Sequence, residues 1–461
     1  MSILSTYIVP HPPMIIPDIG GGEEKAIRRT IDAYHEVAKE IGELKPETIV
    51  VISPHSIMYS DYIHISPGEK TFGDFARYGH PKVGMSASYD TALVSCLEEV
   101  CAKKNVSAGT LGEQDKALDH GVMVPLYFVN QYLKEYQLCR ISISGLTFKE
   151  HYAFGQCLQE AIEMMGRKTV IIASGDLSHK LKDEGPYQFA KEGPEFDVRV
   201  IADMASGDFL DFFSFSEEFC DLAGECGMRS FVTMAGALDG IAVEPEFLSY
   251  EGPFGVGYGV CKFQIKGKDS KRYFLEKYIE KEKQELEAIR SKEDDFVKLA
   301  RASLESFLMK REMMEVPDHI SPELLNNRAG VFVSLKEDGR LRGCIGTIEA
   351  AQGSIAEEII HNAVGAAVGD TRFEPVKSEE LDKLIIHVDV LSEPETITSP
   401  ELLDPKRYGV IVSAGHLKGL LLPDLEGIET VEQQVAIALQ KAGIPKDMGF
   451  QIQRFEVIRH K

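Results

Sequence analysis

The sequence predicts an α/β domain followed by a smaller α+β domain, and three observations carry that reading. Over residues 1–266, short β-rich runs alternate with amphipathic helical stretches, as expected of helices packed on a largely parallel sheet. Near Lys266 the composition shifts abruptly to a segment dense in Lys and Glu, as in Glu280-Lys281-Glu282-Lys283-Gln284-Glu285. Beyond Asp294 a hairpin signal is followed by a helix, three more strands and a second helix, a mixed order that reads as α+β. A chain of 461 residues also exceeds what one core ordinarily serves. The expected division is 1–266, a charged helical linker over 267–293, and 294–461.

In the first domain, apolar runs at 3–9, 48–52 and 169–173 read as buried strands. Residues 23–44, 89–104 and 148–165 repeat apolar side chains at helical spacing, with charge on the opposite face. The last strand is expected over 255–263, where Gly255, Gly257 and Gly259 suggest close backbone packing. The Lys/Glu segment reads as a solvated helix laced with i,i+4 ion pairs, since no sustained heptad pattern supports a coiled coil. In the second domain a helix begins near Phe296. A hairpin then joins 331–335 to 341–346 through Glu337-Asp338-Gly339. A helix at 354–368, strands at 384–391, 409–412 and 419–422, and a helix at 431–442 complete it.

Composition narrows the function. With 44% hydrophobic and 27% charged residues the chain reads as soluble and globular. A formal net charge of -23 argues against a nucleic-acid surface, which needs clustered Lys and Arg, and against anionic membranes. No apolar run approaches the roughly 18 residues of a membrane span, and the N-terminus enters a strand with no leader-like pattern. The eight cysteines are scattered without a CxxC pair, so a zinc knuckle or disulfide framework is not expected and a reducing cytoplasm is. Phosphate-loop, dinucleotide and nucleophile-elbow patterns are absent. The pattern is compatible with a homo-oligomer.

Four histidines carry the chemical signal. His11 follows the first strand in Pro10-His11-Pro12-Pro13, His55 follows the second in Ser53-Pro54-His55, and His179 follows another in Ser174-Gly175-Asp176-Leu177-Ser178-His179. His120 lies in the polar turn Asp119-His120-Gly121. Ligands of open α/β sheets gather at the carboxyl ends of strands, and imidazole is both the commonest metal ligand and the usual neutral-pH base. Prolines beside His11 and His55 stiffen their loops, as a metal site requires. His35, within a charged helix, and His64, on an alternating strand, read as structural. A third ligand is expected from Gly224-Glu225-Cys226-Gly227. Glu225 there could equally be an ordinary acid of a first helical turn, and Cys226 an ordinary small buried residue.

These motifs, together with Val124-Pro125-Leu126, occur in the order found in the class III extradiol ring-cleavage dioxygenases, and residues 1–266 resemble that family. The resemblance implies His11, His55 and Glu225 as ligands of Fe(II) and His179 as the acid/base. It makes His120 a second imidazole at dioxygen or substrate, and a small catechol-type diol the substrate. The segment is also similar to the Memo-like branch, in which a cysteine before a glycine takes the third position. Cys226-Gly227 fits that pattern, and a thiolate would favour copper or zinc over iron. Glu225 is the expected third ligand and Cys226 the alternative. The rival to an oxygenase is a metal-binding redox or interaction protein without ring cleavage.

The second domain carries Leu341-Arg342-Gly343-Cys344-Ile345-Gly346, Gly369-Asp370-Thr371-Arg372-Phe373, Val390-Leu391-Ser392 and Gly419-Leu420-Leu421-Leu422-Pro423, and resembles the AMMECR family over about 294–458. That resemblance names a fold without a reaction. Arg342, Cys344, Asp370 and Arg372 form a candidate second site, in which Arg342, Asp370 and Arg372 could converge on an anion; the ordinary alternative is a core cysteine and an Asp-x-Arg pair that locks a loop. The fusion resembles the AmmeMemoRadiSam system, which implies a radical-SAM protein as partner.

Overall fold

Runs of apolar residues too short for helices become the inner strands of one sheet. A computed structural model describes the chain except residues 1, 113–116, 186, 338, 426, 446 and 447, so Asp338 of the expected hairpin turn lies outside the described residues. Two compact units divide at 280/281. The strands of the first are β1 (Ile3–Val9), β2 (Thr48–Ser53), β3 (Ile63–His64), β4 (Lys70–Phe75) and β5 (His80–Tyr89). They continue with β6 (Ala108–Gly109), β7 (Gln137–Ser142), β8 (Thr169–Ser174), β9 (Ile241–Glu251) and β10 (Tyr258–Lys268). The eight-stranded sheet has the order β4-β5-β7-β2-β8-β1-β10-β9, with parallel pairing from β5 through β1 and antiparallel strands at both edges.

The helices here are α1 (Pro17–Gly20), α2 (Arg28–Leu44), α3 (Thr91–Lys103), α4 (His120–Val129) and α5 (Phe148–Met165). After these come α6 (Glu192–Ser206), α7 (Glu217–Ala223), α8 (Met228–Ala237) and the start of α9 (Phe274–Arg290). Strand alternation sends Ile8, Val50, Ile52, Ile171 and Ala173 to a core shared with α3, α5, α6 and α8. Tyr7, Val9, Ile49, Val51 and Ile172 point the other way, to a core shared with α2 and α4. Both faces being covered, β2 and β8 are buried at every position, which explains their unbroken apolar character.

Two expected boundaries moved. Residues 23–27 form a 3₁₀ turn ahead of α2. The strand expected from Gly255 starts at Tyr258, because Gly255 takes φ 81° in a turn and Gly257 packs against the Asp197 carboxylate. The charged segment is helical as expected, with Lys281–Glu285 and Lys283–Glu287 pairs at 3.8 and 3.9 Å. Its first turn is not solvated, since Phe274 is buried in the core of the first unit.

The second unit contains α10 (Asp295–Lys310), α11 (Pro322–Asn326), α12 (Ile355–Val368) and α13 (Val431–Ala442). Its strands are β11 (Val331–Glu337), β12 (Arg340–Gly346), β13 (Ile385–Leu391), β14 (Glu395–Ile397), β15 (Gly409–Ala414), β16 (Leu417–Leu421), β17 (Gln451–Phe455) and β18 (Val457–His460). They form two antiparallel four-stranded sheets, β12-β11-β13-β18 and β14-β17-β15-β16. The first packs on α10 and α12, the second on α13. No helix of the described residues is long and apolar enough to cross a membrane.

Candidate metal centre

β1, β8 and β2 lie side by side and parallel, so their carboxyl ends deliver His11, then Asp176 and His179, then His55 to one edge of the sheet. His11 is buried, and its backbone N–H donates to Asp176 Oδ1 at 2.8 Å. Its Nε2 lies 2.9 Å from His55 Nε2 and 3.6 Å from Cys226 Sγ. Tetrahedral bonds of about 2.05 Å to nitrogen and 2.3 Å to sulfur put two nitrogens about 3.3 Å apart and nitrogen about 3.6 Å from sulfur. Both separations are close to those a tetrahedral ion would set, and all three donor atoms lie within 4.8 Å of one another.

The start of α4 is latched to the loop that carries His55. Asp119 caps α4 by accepting from Val122 N, and its oxygens also accept from the Ser53 and Ser56 hydroxyls at 2.5 and 2.7 Å. Ser53 Oγ in turn accepts from the His55 backbone N–H at 3.2 Å. Gly121 sits so close to Ser53 Oγ that a side chain there would overlap it. His120, expected in a turn, is the first residue of α4, and its ring stacks on His55 with centroids 4.1 Å apart. The motif Asp119-His120-Gly121 thus supplies a cap, a stacked imidazole and a close approach at three successive positions.

The carboxylate of Glu225, expected as third ligand, is engaged elsewhere. α7 ends at a left-handed Gly224 and α8 starts at Met228, and in the tight connection Glu225 Oε2 accepts the Met228 N–H at 2.6 Å. It serves the orphan donors and positive end of α8, the ordinary role of an acid before a first helical turn. The alternative, Cys226, faces inward and accepts from Asp176 N at 3.3 Å. Among the described residues, the clusters close enough to share an ion are His11–His55–Cys226 and Asp176–His179–Cys226.

Burial dominates the electrostatics. Desolvation, with His55, His120 and His179 nearby, holds His11 well below the usual imidazole range, and His55 is lowered chiefly by burial. His120 and His179 are brought down to about 4, mainly by burial and then by the neighbouring His55. All four rings are thus neutral at pH 7, the form that binds a metal or accepts a proton. Burial pushes Asp176 and Glu225 up to about 7 and raises the Cys226 thiol. His179 Nε2 is buried without a hydrogen-bond partner among the described residues, and Tyr187 stacks on the ring at 5.6 Å. An orphaned buried nitrogen beside a thiol and a carboxylate is what an ion or substrate would satisfy.

His35 and His64 sit apart, the first with Nδ1 3.1 Å from Tyr132 Oη and the second buried in β3. In the second unit Cys344, Asp370 and Arg372 do meet: Cys344 N donates to Asp370 Oδ2 at 2.9 Å, and Arg372 forks onto both Asp370 oxygens. Arg372 holds the Asp370 carboxyl well below its usual range. Arg342 instead forks onto Glu380 and donates to the Glu374 carbonyl. Each guanidinium is neutralised by its own carboxylate, which removes the expected convergence on an anion. Ser174, not among the residues expected at the site, sets its hydroxyl against the His11 ring. Its signal was a hydroxyl at the last position of a strand that ends in chemistry.

Residues 5–261 match the family model described as the catalytic LigB subunit of aromatic ring-opening dioxygenase, and residues 297–460 match AMMECR1. A protein of Clostridium acetobutylicum is 42% identical over 100% of both chains. A protein of Thermotoga maritima is 48% identical, covering 37% of this chain and 98% of its own. The solved structure of an uncharacterized protein from Pyrococcus horikoshii shares 35% identity over 36% of this chain and 88% of that one, with a TM-score of 0.34.

Proposed function

This chain belongs to the family of the catalytic LigB subunit of aromatic ring-opening dioxygenases, with an AMMECR1 domain behind it, and from that premise we propose a metal-dependent oxidoreductase with a mixed imidazole–thiolate centre. The observation that carries the reading is the exchange at the third position, where Cys226 Sγ sits 3.6 Å from His11 Nε2 while Glu225 caps α8. His11, His55 and Cys226 would hold the ion, and two imidazoles with a thiolate suit copper, with zinc as the redox-silent counterpart, better than ferrous iron. Bound there, copper would supply one-electron redox chemistry of a Memo-like kind. The chain's own contribution is otherwise proton handling and access. His179, neutral at pH 7 and with a buried free Nε2, accepts a proton from a substrate hydroxyl or thiol. Tyr187, 54% exposed and stacked on His179, offers a flat aromatic face beside that base.

A second reading keeps Fe(II) and cleavage of a catechol-type diol. It is favoured by the placement of His179 beside the same donors, where ring cleavage needs a base. Under either reading, a radical-SAM partner is proposed from the fused architecture alone.

Metal analysis of the full chain purified without oxygen tests the assignment. Cys226→Ser should lose the ion and, in cobalt-substituted protein, the thiolate charge-transfer band. Glu225→Ala should keep both while losing about 1 kcal/mol of stability with the helix cap. The reverse pattern returns the third position to Glu225. Oxygen uptake with catechol by the iron-loaded chain, with appearance of a ring-opened product, would favour the second reading.

A further inference from the structure

The proton inventory around His11 is fully determined by its neighbours. Ser174 Oγ lies 2.6 Å from the Gly121 carbonyl oxygen, which can only accept, so the single hydroxyl proton points there. The same oxygen is 2.9 Å from His11 Nδ1 and must therefore accept from it. Nδ1 then carries the imidazole proton, and Nε2 presents a bare lone pair toward His55 and Cys226. The bonds are buried, Ser174 and His11 being 0% and 1% exposed, so water does not compete for them. Because Gly121 belongs to α4 and Ser174 to β8, the choice of proton is written into the packing of helix on sheet.

We propose that Ser174 is a positioning residue of the metal centre: held as a donor to Gly121 O, its hydroxyl fixes His11 as the Nδ1–H tautomer and so sets Nε2 as the ligand atom. This rests on His11 being a ligand, as proposed above. Outer partners that fix a ligating imidazole are commonly worth about 10–100-fold in metal affinity. A free histidine side chain favours the opposite, Nε2–H, form. Without Ser174, His11 would have to give up that proton or turn its ring before it could bind.

The test uses the full chain labelled with ¹⁵N-histidine, metal-free, together with competitive titration of zinc. In the wild type, His11 should show the Nδ1–H pattern of nitrogen shifts. Ser174→Ala should shift the ring toward Nε2–H and weaken zinc about 10–100-fold. Ser174→Thr, which restores a hydroxyl, should recover both. Should Ser174→Ala fail to fold, Ser174→Cys keeps the volume, hydrogen-bonds weakly and carries the same expectation. A folded Ala or Cys variant with unchanged tautomer and unchanged zinc affinity overturns the proposal, provided His11→Ala abolishes binding. If His11→Ala leaves zinc binding intact, the metal assignment itself falls, and this proposal with it.

Discussion

His55 Nε2 lies 2.9 Å from His11 Nε2, although the strands that carry them, β2 and β1, are separated by β8. Asp119 holds the His55 loop through Ser53 and Ser56, while His11 is held by Asp176 and Ser174 at the end of β8. With His11 Nε2 bare, only a proton on His55 Nε2 or a cation can occupy the space between the two nitrogens. Both rings are held neutral by burial, so the arrangement is ready for a cation without first shedding charge.

Replacing either His11 or His55 with Ala leaves two donors of the proposed triad. Metal content after gel filtration should fall from about one ion per chain to near none, since three or four protein ligands are the rule for such ions. Elemental analysis beside a thermal melt separates lost ligation from lost folding. Full retention in both variants would place the metal elsewhere.

Gly121→Ala introduces a methyl where Ser53 Oγ already sits, one residue from the stacked ring of His120. Overpacking of this kind typically costs about 1–3 kcal/mol. The specific expectation is a coupled loss: denaturant melts show the destabilisation, and zinc titration shows weaker binding because the His55 turn is pushed off the latch. A variant that loses stability but keeps full affinity would show that the latch does not position His55.

His151, outside the proposed triad, gives a pH dependence of stability. It is fully buried in α5, with Nε2 accepting from Ser144 N at 3.2 Å and Nδ1 at 3.0 Å from the Thr147 carbonyl, and burial lowers it from 6.5 to about 4. The unfolded chain binds a proton at this residue below 6.5 while the folded chain stays neutral until about 4. Its contribution is therefore present above pH 6.5 and lost as pH falls through that window, of order 3 kcal/mol at the acid end. Urea melts at pH 7.5 and pH 4.5 should show a smaller acid loss for His151→Gln than for the wild type. Equal losses would mean that His151 does not titrate differently on folding.

The parts of the fold legible in the sequence were those where local pattern and tertiary burial agree. The helix at 148–165 has a Thr147–Glu150 capping box and ends at the left-handed Gly166, and its observed bounds coincide with the expected ones. The helix at 431–442, capped by Thr430 and Gln433, behaves likewise. The short strands β14, β17 and β18 were not read, because their pairing comes from distant strands rather than from an apolar period. At the site, histidines after apolar runs were legible because a parallel sheet brings strand ends together. Glu225 and Cys226 were not separable, since adjacent residues in a tight helix–helix turn point in different directions that spacing cannot resolve. Nor was the pairing of Arg342 with Glu380, which are 38 positions apart and joined by tertiary folding.

The first unit should fold and bind metal on its own, but only if α9 is cut in the right place. A chain ending near Ser270 fits the expected linker, yet it removes Phe274, which is 4% exposed and packs in the core with Phe209 at 6.2 Å. It also removes the Phe274 N–H bond to Asp239 and the stack of Tyr278 on Phe213 at 4.8 Å. Losing a buried phenylalanine alone costs about 3–5 kcal/mol, a large share of a domain's stability. A chain ending at Glu280 keeps all of these, and the side chains of the proposed centre lie well before it. It should therefore bind zinc within a few-fold of the full chain and melt cooperatively, while the Ser270 truncation melts lower or precipitates. A soluble, folded 1–280 chain that binds no metal would mean that a ligand comes from the second unit, and the half-buried thiol of Cys344 would be the first group to replace.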